Sequence, residues 1–167
     1  MLGRQAKPEF RLPDLAGLRL ATVSEVPTPW MCLQEDLRRA GLDPARLDRV
    51  SDRSMSENSQ ALRRGEVDVV QLFQPFVEAL LEDGAGHIWS AAADRGPTSI
   101  RRCMHPDGCW RRGARRCEGM VRAIYRTLKW VHAGDGRRLA AAIADYFPEL
   151  PQARLAKALD RYLSLGI

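Results

Sequence analysis

The chain has 167 residues, of which 45% are hydrophobic and 28% charged, a composition ordinary for a globular domain that buries a core. No apolar run reaches the ~20 residues that cross a bilayer, and the first ten residues lack the apolar core of a secretory signal. The net charge of +5 comes from three arginine pairs, at 101–102, 111–112 and 115–116, less the charge of Asp107. The positive charge therefore belongs to one short segment and predicts no basic nucleic-acid-binding face.

The first two thirds of the chain alternate between short strand-like and helix-like patterns. β-Branched or apolar runs bounded by turn residues predict strands at 18–23, 47–50, 67–72 and 87–90, with a fifth near 98–104. Apolar spacing of three and four residues predicts helices that begin near Thr28, Ser54 and Phe73. Strands that alternate with helices of about ten residues are typical of βαβ units. We therefore expect an α/β fold, a mainly parallel sheet flanked by helices, preceded by an extended lead-in over residues 1–11.

The last third of the chain predicts helices. Apolar residues keep one face over 121–131, continue over 139–147 and recur over 155–163. The expected organisation is an α/β ligand-binding lobe at 12–117 and a set of C-terminal helices at 118–167. Within the lobe, residues 98–117 form an atypical segment rich in arginine and cysteine. A translational frameshift is one hypothesis for that composition.

Two turns share one design, a strand followed by a helix that a proline begins. They are residues 24–30 (SEVPTPW) and 71–76 (QLFQPF). In open parallel sheets, ligands bind beyond the carboxyl ends of strands, where helix N-termini offer free N–H groups to anions and acceptors. The candidate ligand-binding residues, including a third helix start, are Ser24, Glu25, Thr28, Trp30, Met55, Ser56, Gln71, Phe73 and Gln74. The alternative is purely structural: Thr28 only caps a helix, and Trp30 and Phe73 only fill the core.

Metal binding and catalysis find little support in the residue pattern. Cys103, His105, Cys109 and Cys117 carry zinc-ligand chemistry but lack the Cys-x-x-Cys pairs of structural zinc sites. No disulfide framework, phosphate-binding loop or nucleophile motif is present. The sequence therefore predicts no metal ion, no cofactor and no enzyme.

Several stretches resemble the substrate-binding proteins of ABC importers for nitrate, sulfonates, taurine and thiamine-pyrimidine precursors. They are residues 14–22 (DLAGLRLAT), 39–43 (RAGLD), 61–68 (ALRRGEVD) and 72–76 (LFQPF), with 146–149 and 158–162 in the helical tail. The resemblance covers roughly residues 12–97 and 118–165 and implies one lobe of a type II periplasmic-binding-protein fold. It matches the family's second lobe and C-terminal helices, and the first lobe has no counterpart here.

The resemblance implies a solute-binding component, or a fragment of one, that binds a small anionic or heterocyclic ligand non-covalently. Its partners would be that ligand and, in a full-length protein, an ABC permease. No nucleic-acid partner is expected. The family is periplasmic, whereas the absence of a signal predicts a cytoplasmic chain as written. Helices that would cover a first lobe are expected to self-associate through exposed apolar faces.

Two other functions stay open at the level of the sequence. The first is a small zinc- or nucleic-acid-binding protein that uses the segment 98–117. The second is a protein of thiamine-pyrimidine synthesis, which shares the family resemblance but needs an anchoring lysine or histidine near the ligand. The lysines at 7, 129 and 157 do not fall at the two turns, which argues against that second alternative.

Overall fold

The computed structural model describes residues 1–96 and 107–166, with side chains described from residue 115 onward in the second range. The chain divides into two compact units, Met1–Gly96 and Pro97–Ile167, and each has its own hydrophobic core. The sequence predicted a boundary between residues 117 and 118, but one continuous helix, Asp107–His132, runs across that position.

A five-stranded sheet organises the first unit. Its strands are β1 (Leu2–Gly3), β2 (Arg19–Ala21), β3 (Asp48–Val50), β4 (Val69–Val70) and β5 (His87–Ile88), in the order β3-β2-β4-β1-β5. Strand β2 pairs in parallel with β3 and β4, whereas β1 pairs antiparallel with β4 and β5. The predicted α/β class is confirmed. The sheet is mixed, because β1 runs opposite to its two neighbours.

Three helices follow the strands: α1 (Thr28–Arg39), α2 (Met55–Arg64) and α3 (Phe76–Glu82). Side chains alternate between the two faces of a strand, and both faces of this sheet are buried. Leu20 and Val69 pack with Leu33 and Leu37 of α1. On the opposite face, Ala21 and Val70 join apolar residues of β1, α2 and α3, namely Leu2, Ala61, Leu62, Val77 and Leu80. Helices therefore cover the sheet on both sides, as the resemblance implied.

Strand β1 corrects the prediction that residues 1–11 are only a lead-in. Leu2 is 2% exposed, and β1 lies between β4 and β5 rather than outside the sheet. A strand of two residues is too short for alternation of polar and apolar residues to reveal it. Gly3 is required there because a Cβ atom would stand 2.0 Å from the Trp89 ring. The predicted fifth strand, near 98–104, lies outside the described residues.

The helix starts in the first unit agree with the predicted ones at α2 and differ from them at α1 and α3. Helix α2 begins as predicted with a capping box, in which the Ser54 hydroxyl accepts from the Glu57 N–H and the Glu57 carboxylate accepts from the Ser54 N–H. Helix α1 is capped by Pro27, and Thr28 is its first helical residue rather than its cap. Helix α3 begins at Phe76, three residues later than predicted.

The second unit contains α4 (Asp107–His132), α5 (Gly136–Ile143) and α6 (Gln152–Ser164). Ala140, Leu155 and Ala156 form its core between α5 and α6. The Asp160 carboxylate accepts a 2.5 Å hydrogen bond from the Gly136 N–H and so ties α6 to the start of α5.

Helix α4 leaves a row of large apolar side chains exposed. They are Met120, Val121, Ile124, Tyr125 and Leu128, each between 45% and 61% exposed. Their spacing puts them on one side of the helix, and we call them the α4 apolar face. Within the described residues, no helix has both the length and the hydropathy that a membrane span requires.

Candidate ligand-binding site

The parallel strands bring three turns to one edge of the sheet. Because β2, β3 and β4 run in the same direction, the residues that follow them all emerge at the carboxyl ends of the strands. These are residues 22–28, 51–54 and 71–75, each of which leads into a helix N-terminus. We call the surface that these turns and the three helix starts form the carboxyl-edge site. All nine predicted ligand-binding residues belong to it.

The first and second turns are joined through Glu25. Its carboxylate accepts a 2.8 Å hydrogen bond from the backbone N–H of Met55, the first residue of α2. This bond holds the pKa of Glu25 below its usual value. Ser24 donates a 3.4 Å hydrogen bond to the same carboxylate. Ser56 follows Met55 in α2 and is exposed.

Glu25 changes the electrostatics that the sequence suggested for the start of α2. A helix N-terminus favours an anion because its first N–H groups are unpaired. Here Glu25 takes the Met55 N–H and the Ser54 hydroxyl takes the Glu57 N–H. The anion at this N-terminus is therefore supplied by the protein itself.

The third turn is joined to α1 through Gln71. Its side-chain amide donates a 3.2 Å hydrogen bond to the Pro29 carbonyl, in the first turn of α1. Gln71 is only 9% exposed, and its Oε1 has no hydrogen-bond partner. Thr28, Trp30 and Gln71 therefore lie in one neighbourhood, with one buried acceptor left unsatisfied.

The other two residues of the third turn behave differently. The Gln74 side chain turns toward α3, where it donates to the Glu78 carboxylate at 3.1 Å and accepts from the Glu78 N–H at 3.2 Å. This residue therefore serves the helix start. Phe73 is 38% exposed, so it does not simply fill the core, as the structural alternative had proposed.

Arg49 is a residue of this site that the sequence analysis missed. It lies in β3, and its guanidinium carbon stands 4.2 Å from the centroid of the Trp30 ring. Its Nε donates a 3.0 Å hydrogen bond to the Thr22 hydroxyl, just beyond β2. Partial burial lowers the pKa of this guanidinium. Arg49 is exposed, as expected of an arginine in a short edge strand, but its position next to the last residue of a parallel strand was a usable signal.

A buried side-chain amide stabilises the same edge of the sheet. Asn58 of α2 is fully buried, and its side chain donates a 3.0 Å hydrogen bond to the Thr22 carbonyl. Helix α2 is thereby fixed to the end of β2, the strand that also positions Arg49 through Thr22. The sequence pattern did not single out Asn58, because one polar residue on the buried face of a helix has no characteristic motif.

The alternative zinc site cannot be built from described side chains. Cys103 and His105 lie outside the described residues, as does the side chain of Cys109 in α4. Cys117 is a buried free cysteine. Within the part of the chain that the structure describes, no three His, Cys, Asp or Glu side chains are grouped as metal ligands would be.

Comparison with solved structures identifies the fold. The periplasmic aliphatic sulphonate binding protein SsuA from Escherichia coli superposes with a TM-score of 0.68 at 19% identity, over 95% of this chain and 53% of SsuA. The alkanesulfonate-binding protein SsuA from Xanthomonas axonopodis pv. citri, bound to MOPS, gives a TM-score of 0.58 at 21% identity, with the same coverage. The chain has the fold of about half of a periplasmic sulphonate-binding protein. This confirms the predicted periplasmic-binding-protein-like architecture.

Sequence comparison agrees with this result. The "Putative binding protein YtlA" of Bacillus subtilis (strain 168) is 21% identical over 164 residues, which are 97% of this chain and 49% of that protein. No family model matches the chain. The chain spans about half the length of the relatives that it matches.

Proposed function

We propose that this chain is the solute-binding component of an ABC-type importer, or part of one, and that it holds a small anionic or heterocyclic ligand non-covalently at the carboxyl-edge site. The observation that carries this proposal is the convergence of three strand ends and three helix starts at one edge. Hydrogen bonds from Met55 to Glu25 and from Gln71 to Pro29 link these turns. The proteins of similar fold are named for binding sulphonates.

The proposed contacts involve binding only. Backbone N–H groups and the hydroxyls of Ser24, Thr28 and Ser56 would hold the polar part of the ligand, with Trp30 and Phe73 at its margins. Glu25 and Met55 would fix the geometry of the first two turns, and Gln71 and Gln74 that of the third. The proposal requires no covalent chemistry, cofactor or metal ion.

The importer and the compartment follow from the same proposal. A binding protein of this fold would deliver its ligand to a membrane permease. It would work in the periplasm, as the Escherichia coli relative does by name. Both statements concern a full-length binding protein. This chain corresponds to about half the length of such a protein among its relatives.

A thermal-shift titration with MOPS, ethanesulfonate, taurine, nitrate and a hydroxymethylpyrimidine tests the proposal. A ligand at one hundred times its Kd stabilises the folded state by about 2.7 kcal/mol. For a chain of this size that raises Tm by roughly 5–10 °C. Calorimetry of any ligand that shifts Tm should give one site per chain.

A matched pair of variants locates the binding. Ser24→Trp places an indole within the carboxyl-edge site and should abolish the shift. Ala45→Trp adds the same ring at an exposed position before β3, at the opposite edge of the sheet, and should leave the shift intact. If none of the probes raises the Tm of the unaltered chain, or if both variants respond like it, the proposed site is wrong.

A further inference from the structure

We propose that Arg49 selects the charge of the ligand at the carboxyl-edge site, and that Trp30 is the platform for its guanidinium rather than a stacking surface for the ligand. This inference rests on the proposed function. It replaces the choice between an anionic and a heterocyclic ligand with a single expectation, an anion recognised by charge.

The position of Arg49 supports this role. In the β2–β3 register Arg49 stands opposite Leu20, and neighbouring Cα partners point to the same face of a sheet. Leu20 packs against α1, so Arg49 extends along the α1 side. It reaches Thr22 beyond the end of β2 and Trp30 in the first turn of α1. Its guanidinium therefore lies beside the N-terminus of α1, where the helix dipole also favours an anion.

No carboxylate among the described side chains balances the charge of Arg49. In the same unit Arg19, Arg53 and Arg63 lie 3.8, 3.1 and 2.5 Å from carboxylate oxygens. Among the residues that the structure describes, the polar contact of Arg49 is the neutral Thr22 hydroxyl. A guanidinium has five N–H donors in a planar fork, and this bond uses the one on Nε. The Nη groups are left to bind a planar or tetrahedral oxyanion.

One face of the Trp30 ring is already in contact with the Arg49 guanidinium. A guanidinium carbon 4.2 Å from its centroid is a stacked cation–π contact, so Arg49 covers that face of the indole. A flat heterocycle would have to displace Arg49 from the ring in order to stack there. Trp30 instead restricts the arginine to few conformations, which lowers the entropic cost of binding an anion.

Two further groups polarise the site. Glu25 places a negative charge at the start of α2, which directs an anion toward α1 and Arg49. On the α1 side, the buried Oε1 of Gln71 lacks a partner and stands beside the first turn of α1, to which its own amide donates. An acceptor that is nine-tenths buried and unpaired is costly, and only an anion that also carries an N–H or O–H donor would satisfy it.

Two probes of matched shape test the inference: ethanesulfonate, which is an anion, and ethyl methyl sulfone, which is its neutral counterpart. Titration calorimetry of the unaltered chain should give a Kd at least tenfold lower for ethanesulfonate. Arg49→Gln should weaken ethanesulfonate by about 10- to 100-fold, the usual effect of losing a charge-assisted hydrogen bond. The same variant should leave the affinity for the sulfone unchanged.

Two more variants separate charge selection from general effects. Arg39→Gln removes one positive charge from the last residue of α1, where Arg39 pairs with Glu35, about 14 Å along the helix from Trp30. It should not change either affinity. Arg49→Lys keeps the charge without the planar fork and should retain a preference for the anion, weaker than that of the arginine. It also serves as the test if Arg49→Gln fails to fold.

The outcomes separate the inference from the proposed function. Binding of the sulfone or of a hydroxymethylpyrimidine without binding of ethanesulfonate would refute the role of Arg49 while leaving the solute-binding function standing. Equal losses in Arg49→Gln and Arg39→Gln would also refute it, because the effect would then depend on net charge alone. Failure of the unaltered chain to bind any of these probes would refute both proposals.

Discussion

Substitution of Gly3 tests whether β1 belongs inside the sheet. A Cβ atom on residue 3 would meet the Trp89 ring at 2.0 to 2.5 Å, so the indole has to move in Gly3→Ala. That ring donates a 2.7 Å hydrogen bond from Nε1 to the Gln5 carbonyl and packs against Phe10 at a centroid distance of 5.1 Å.

The size of the effect follows from those contacts. Loss of the hydrogen bond costs about 1 kcal/mol and loss of the ring contact about 1 kcal/mol, and residual strain adds about 1 kcal/mol. We therefore expect Gly3→Ala to lower the free energy of unfolding by about 3 kcal/mol. This corresponds to a fall in Tm of roughly 6–12 °C for a chain of this size.

Urea unfolding followed by tryptophan fluorescence and circular dichroism measures this loss. Gly119→Ala is the matched control, since a Cβ atom at residue 119 of α4 meets nothing within 4 Å. Alanine is also the better helix former by roughly 0.5–1 kcal/mol, so the control should be neutral or slightly stabilised. A loss below about 0.5 kcal/mol in Gly3→Ala would show that the ring does not cover β1 and that our reasoning about this strand is wrong.

Three other predictions concern the two units and the site. Gly136→Ala should destabilise the α5–α6 pair by about 1–3 kcal/mol, because a Cβ atom would stand 2.1 Å from the Ala156 carbonyl oxygen. Gly134→Ala, where the Cβ contacts are 3.5 Å, should leave the stability unchanged. Equal urea midpoints for the two variants would contradict this prediction. The lowered pKa of Glu25 implies stabilisation that is present above the unfolded pKa near 4.5 and is lost as the pH falls through the folded value. Glu25→Gln should therefore be less stable than the unaltered chain at pH 7. If the difference in free energy of unfolding between the two proteins stays constant down to pH 3, this linkage is excluded. The α4 apolar face should make the chain associate as its concentration rises, which light scattering measures as an increase in molecular mass. The double substitution of Val121 and Leu128 by Glu should give a monomer. An unaltered chain that is monomeric at high concentration would count against the expectation.

The sequence was most informative where local chemistry decides the structure. The capping box at Ser54, the glycine at residue 65 with φ of 75° and the β-branched run at β4 each follow from rules that act within a few residues. These rules placed β2, β3 and β4 and thus the edge at which the candidate residues meet. The parallel direction of the three strands followed from the helices between them.

The remainder depends on contacts between distant residues. Strand β1 is visible only through its pairing with β4 and β5, and Arg49 becomes part of the site only because α1 brings Trp30 over β3. Likewise, the capture of the Met55 N–H by Glu25 joins residues thirty positions apart. No periodicity or motif within one segment encodes such pairings, so the sequence could name the candidate residues of the site but not its internal charge balance.

The placement of β1 also constrains how the first unit can fold. Its first residues form a strand whose partner Ile88 lies near the end of the same unit. During synthesis, the parallel core of β2, β3 and β4 can assemble early, but β1 acquires its second neighbour only after residue 88 has left the ribosome. Pairings of such large sequence separation slow folding, and until then β1 presents one unpaired edge on which a chaperone or another nascent chain could pair.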